Sequence, residues 1–86
     1  MTERNKYIRF KNTGFVIWKD MTGMFHSKMA AAVIAAQNGN DEVVSAGFMF
    51  INDIGSVVCY GESESLGIKS RREDDKLLAV QFYGDS

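Results

Sequence analysis

The chain has no proline, one cysteine and one histidine among its 86 residues. Without proline there is no stiff extended linker, which agrees with a single compact unit. The lone Cys59 cannot close an internal disulfide, and small extracellular domains generally need several. One cysteine and one histidine also exclude the soft-ligand set of a structural zinc site, and no cofactor is expected. No apolar run approaches the roughly 20 residues needed to cross a bilayer, so no membrane partner is expected. The opening MTERNKYIRF is polar and lacks the apolar centre of a signal peptide. A cytoplasmic location is the resulting expectation. The formal net charge is −1, which gives no overall pull toward nucleic acid or anionic lipid.

What remains is an ordinary folding composition. Hydrophobic residues make up 45% and charged residues 24%, the balance of a globular protein rather than a disordered one. One domain over residues 1–86 is expected, with a modest core, because a chain this short buries only about 60–65% of its unfolded surface.

The elements follow from periodicity and turn chemistry. Residues 7–11 alternate, with Ile8 and Phe10 on one face, and residues 15–18 return as a second strand through Asn12, Thr13 and Gly14. A helix is expected to start at Thr22 or Gly23, carry Phe25, Met29, Val33 and Ala36 on its apolar stripe, and stop at Asn38-Gly39. Residues 43–51 and 56–60 read as a second hairpin, joined through Asn52, Asp53, Ile54 and Gly55. A second helix, entered at Ser70, is expected to turn Leu77, Leu78 and Phe82 inward and end near Gly84.

The order is ββα followed by ββα, with halves at 7–39 and 43–84. Phe10, Asn12 and Gly14 of the first hairpin answer to Phe50, Asn52 and Gly55 of the second. Either an internal duplication or the shared needs of tight turns explains the likeness. The predicted class is α+β: a four-stranded antiparallel sheet with both helices on one face. Yet both faces of the strands are apolar. Val44, Ala46, Phe48 and Phe50 oppose Val43, Met49 and Ile51, and two helices on one side leave the other bare. Self-association into a homo-oligomer is the expected remedy.

Chemistry concentrates in residues 57–75, VVCYGESESLGIKSRREDD. Ser70 and Glu73 have the spacing of a capping box, with the Ser70 hydroxyl and the Glu73 carboxylate each taking the other's amide. Ser63, Ser65, Lys69, Arg71 and Arg72, with loop amides and a helix start, form a candidate anion site. Glu62, Glu64, Glu73, Asp74 and Asp75 oppose it with comparable negative charge, and no Walker or Rossmann spacing is present. A solvated loop with a good cap is the plainer alternative. His26, near the start of the first helix, is either a surface or capping residue or a donor to an anion at Ser63. Trp18, Tyr60 and Tyr7 are strand-end aromatics, suited to packing or to stacking on a partner. A nucleophilic pair of Cys59 and His26 would need hydrogen-bond contact and an oxyanion site, whereas the flanking VVCYG is that of a buried strand cysteine. No catalytic residue and no metal ligand is assigned.

The segment AGFMFINDIGSVVCYGESESLGIKSRREDD, residues 46–75, resembles small accessory proteins encoded by bacteriophages, in which a GxSxSLG stretch precedes an SRxxD helix start. The resemblance implies a host-directed, counter-defence role: a non-catalytic protein in the host cytosol that blocks a bacterial protein or sequesters a signal molecule. The residues themselves point only to a binding module. Its expected contacts are Trp18, His26, Tyr60, Ser63, Ser65, Lys69, Arg71 and Arg72, its partner a host protein or, alternatively, a small anionic, nucleotide-like ligand.

Overall fold

The alternating apolar residues and the Asn- and Gly-containing turns generate the strands where their spacing requires them. In the computed structural model, which describes residues 4–21 and 23–84, β1 (Asn5–Phe10) and β2 (Gly14–Lys19) form the first hairpin. Helix α1 (His26–Ala36) leads to β3 (Val43–Ile51) and β4 (Val57–Tyr60). Two short strands, β5 (Glu62–Ser63) and β6 (Ile68–Lys69), make a separate small hairpin before α2 (Asp74–Tyr83). The main sheet is antiparallel throughout, in the order β2-β1-β3-β4. The chain is thus an α+β fold with two helices and a four-stranded sheet, and β5 and β6 are an addition to the ββαββα order.

The two helices lie on opposite faces of the sheet, not together on one. Tyr7 and Ile8 are consecutive on β1, point to opposite sides, and are both 0% exposed. Tyr7, Phe15, Met49 and Val57 pack under Leu78 of α2. Ile8, Phe10 and Ala46 pack under Ala30 of α1, with Leu66 and Ile68 of the small hairpin completing the cover. A sheet with two apolar faces needs a cover on each, and the β5–β6 hairpin enlarges the α1 side. The bare apolar face that motivated self-association is therefore covered.

Both helices also turn differently from their predicted stripes. Helix α1 begins at His26 rather than at Gly23, and Thr22 lies outside the described residues. Its inward positions are His26, Met29, Ala30, Val33 and Ile34, while Phe25 stays half exposed. Its C-terminal stop is as expected, with Asn38 and Gly39 at positive φ and the Gly39 amide bonded to the Ile34 carbonyl. On α2 the inward residues are Asp74 and Leu78, whereas Leu77 and Phe82 face outward.

The Ser70 capping box does not form, because α2 starts later and Glu73 occupies its N-cap position without a side-chain cap. Asp74 instead accepts the Arg71 amide at 2.9 Å, the same back-bonding contact moved one residue along. Its neighbour Asp75 accepts the amide of Cys59 on edge strand β4 at 2.7 Å, and Gln81 reaches the opposite edge strand β2. Six residues of helix advance about 9 Å. Side-chain reach supplies the remainder of the roughly 14 Å between the outer strands of a four-stranded sheet. Helix α2 thus crosses the whole sheet and closes hydrogen-bonding groups at both of its edges.

Candidate functional site

Strand register brings four distant residues into one line. Trp18 pairs with Lys6, Lys6 with Phe48, and Phe48 with Tyr60, so a single transverse row crosses β2, β1, β3 and β4 on the α1 face. His26, the first residue of α1, is inserted over this row. Its ring stands edge-on to Trp18 at 5.4 Å and to Phe48 at 5.7 Å, and Phe48 packs on Tyr60 at 5.8 Å.

The His26 ring is fixed from below by Nε2, which donates to the Gly47 carbonyl at 2.8 Å. A carbonyl only accepts, so Nε2 carries the proton of the neutral imidazole. Burial lowers the imidazole pKa and the nearby Lys6 ammonium adds to this, outweighing the Gly47 bond and Asp20. Gly47 itself admits no side chain: a Cβ there would stand 2.4 Å from the Tyr60 carbonyl oxygen. The Met24 carbonyl accepts both Lys6 Nζ at 3.0 Å and Trp18 Nε1 at 3.1 Å, tying the segment before α1 to the row.

Above the row lies a groove of about 630 Å³, lined by Phe25, His26 and Phe48, with Lys6, Glu62, Glu64 and Ser65 as its polar members. Its charges are unevenly matched. The Lys6 ammonium lies 3.6 Å from Asp20, and Asp20 also accepts from Arg4, whose guanidinium sits 4.2 Å above the Phe48 ring. The Glu62 and Glu64 carboxylates make no hydrogen bond or ion pair among the described residues. Glu62 in β5 and Glu64 in the turn that follows it flank the buried Ser63, and both line the groove.

The serines of the small hairpin serve the backbone. Ser63 is 0% exposed and its Oγ accepts the Leu66 amide at 3.1 Å. Ser65 Oγ accepts the Ser27 amide at 3.1 Å, supplying from another segment the N-terminal cap that Phe25 cannot provide to α1. One helix amide an anion would need is therefore already satisfied.

Of the eight residues expected at the site, the structure gathers Trp18, His26, Tyr60 and Ser65, with Ser63 at the end of β5 and its Oγ 3.4 Å from that of Ser65. Lys69 is exposed opposite Glu62 on the small hairpin, and Arg71 and Arg72 are exposed before α2 outside the groove lining. Sequence reasoning missed Lys6, Phe25, Phe48, Glu62 and Glu64 as groove residues. The usable signal was the register implied by the first hairpin, which aligns Lys6 with Trp18.

A second polar cluster sits on the α2 face. Asp74 is fully buried and accepts from Tyr7 Oη at 2.5 Å, from the Arg71 amide and from Arg9 Nη1 at 3.2 Å. Burial, reinforced by Asp75 and Asp74, pushes the Cys59 thiol up to about 12, and burial with Asp74 pushes the Tyr7 phenol up as well. Both groups hold their protons at neutral pH. Cys59 packs in the α2-side core and His26 over the other face, so the two do not meet. Among the described residues no group of His, Cys, Asp and Glu could hold a metal ion, and no helix is long and apolar enough to cross a membrane. No protein-family model matches the chain, and no curated protein or solved structure is significantly similar to it.

Proposed function

We propose that the chain is a non-enzymatic binding module that captures a protein partner in the groove above the Trp18–Lys6–Phe48–Tyr60 row. The observation that carries this reading is the combination of a fixed, aromatic floor with an open polar rim. His26 is held between two rings and a carbonyl, so the surface is preorganised, and a preorganised aromatic surface loses little conformational entropy when a partner docks. The resemblance of residues 46–75 to bacteriophage accessory proteins makes a bacterial host protein the partner of choice, with inhibition of that protein as the outcome.

Capture from a bacterial lysate tests this. The wild-type chain is expected to recover one protein in stoichiometric amount, and Phe25→Ala, which removes a half-exposed wall of the groove, is expected to lose it. Recovery of no stoichiometric protein, or equal recovery by the variant, overturns the reading. Sequestration of an anionic nucleotide-like molecule is disfavoured by the Glu62 and Glu64 carboxylates in the groove and by the occupied hydroxyls of Ser63 and Ser65. Calorimetry with a nucleotide panel is expected to show no heat of binding.

A further inference from the structure

We infer that the anchoring group the groove accepts is a lysine or arginine side chain presented by the partner protein. The inference rests on the binding reading above and adds the chemistry of the occupant.

Charge complementarity carries it. The groove has three charged lining residues, and the one cation among them, Lys6, is already engaged by the Met24 carbonyl and by Asp20. The two carboxylates, Glu62 and Glu64, have no partner of their own among the described residues, and both are exposed at the rim. An occupant that brings no positive charge would desolvate these carboxylates without compensation, which is costly. The floor suits the remainder of a basic side chain. Phe25 and Phe48 offer apolar surface to its methylene stem, while the charged head stays in reach of the rim. The protein already places its own cations against the same two rings: the Arg4 guanidinium 4.2 Å over Phe48 and the Lys6 ammonium 5.5 Å from Phe25. A second acidic side chain, by contrast, would meet two like charges.

Selection from a library of displayed random peptides on the immobilised full-length chain tests the assignment. Enriched peptides are expected to share one Lys or Arg position. Their synthetic forms are expected to bind about tenfold more weakly to Glu62→Gln/Glu64→Gln, a loss of one well-formed charge contact. Glu62→Lys/Glu64→Lys is expected to select acidic peptides instead. Both double variants change only exposed side chains, and an unchanged amide NMR spectrum away from the small hairpin verifies their folding. Peptides that lose binding with Phe25→Ala but lack a basic position would overturn the cation assignment and leave the groove reading standing. Peptides indifferent to Phe25→Ala, or no enrichment at all, would overturn both.

Discussion

Gln81 brackets the backbone of Phe15 with both ends of its amide. Oε1 accepts the Phe15 N–H at 2.8 Å while Nε2 donates to the Phe15 carbonyl at 3.0 Å. A side chain from α2 thus takes the place that a fifth strand would occupy beside β2. Gly14, at φ +86°, makes room for it, since a Cβ there would stand 2.5 Å from Oε1.

Gln81→Ala should lower stability by about 1–2 kcal/mol, the loss of two part-buried hydrogen bonds. Gln81→Glu should be at least as harmful, because a carboxylate oxygen would then face the Phe15 carbonyl. Urea midpoints of the two variants check this, and a Glu variant as stable as wild type would contradict it.

The buried Asp74 carboxylate should be a larger contributor. Removing it in Asp74→Ala strands the Tyr7 hydroxyl and leaves the Arg9 guanidinium only its contact with Glu73, at a cost of about 3 kcal/mol. Tyr7→Phe should cost less, and the double variant less than the sum of the two, since both remove the same contact. Additive losses in chemical denaturation would show the contact to be energetically empty.

Ser65→Ala should destabilise by about 1 kcal/mol through the uncapped Ser27 amide of α1. Hydrogen exchange at the first turn of α1 should speed up, while that of α2 should not change. An unaltered exchange rate at Ser27 would remove Ser65 from the cap.

Stability should fall as pH drops below about 6.5. The unfolded chain protonates its histidine there, whereas buried His26 resists the charge, so the unfolded state gains protons first. His26→Gln should flatten the profile between pH 7 and 5. A second decline should follow below pH 4, toward 2. Partial desolvation pushes the Asp41 carboxyl up, but bonds from the Thr13 hydroxyl and the Asn12, Thr13 and Glu42 amides outweigh this and hold it at about 2. Its depressed pKa contributes stability above the unfolded value that is lost as the carboxyl protonates. Melting curves across this range decide the matter.

At alkaline pH the sign reverses. Cys59 and Tyr7 hold protons that the unfolded chain releases from about 9 and 10, so stability should decline above pH 9. Cys59→Ala should delay the onset toward pH 10. Native-state alkylation of Cys59 with iodoacetamide at pH 8 should be slow and should accelerate sharply in denaturant. Rapid native alkylation would mean an accessible thiolate.

Much of the fold was legible in local sequence. Asn12, Thr13 and Gly14 announced the first turn, Val43 to Ile51 the long strand, and Asn38-Gly39 the end of α1, because each depends on backbone preferences of neighbouring residues. The site was legible only in part. Trp18, His26 and Tyr60 stood out as rare or aromatic residues, and they do assemble. Glu62 and Glu64 were read only as charges opposing an anion, since nothing local says that Ser63 between them is buried. Asp74 was likewise read as a negative charge opposing an anion; its burial depends on Tyr7 and Arg9, more than sixty residues away in the chain.

Alternation, turn chemistry and helix propensity thus determined from the sequence itself that four strands and two helices would form, and in what order, because these forces act over a few residues. Tertiary structure alone decided that the helices take opposite faces, that Trp18, Lys6, Phe48 and Tyr60 align, and that a buried carboxylate joins α2 to β1. Those outcomes depend on strand register and on the path of residues 61–73 around the sheet. Both are set by which combination of covers leaves the least apolar surface and the fewest polar groups without partners.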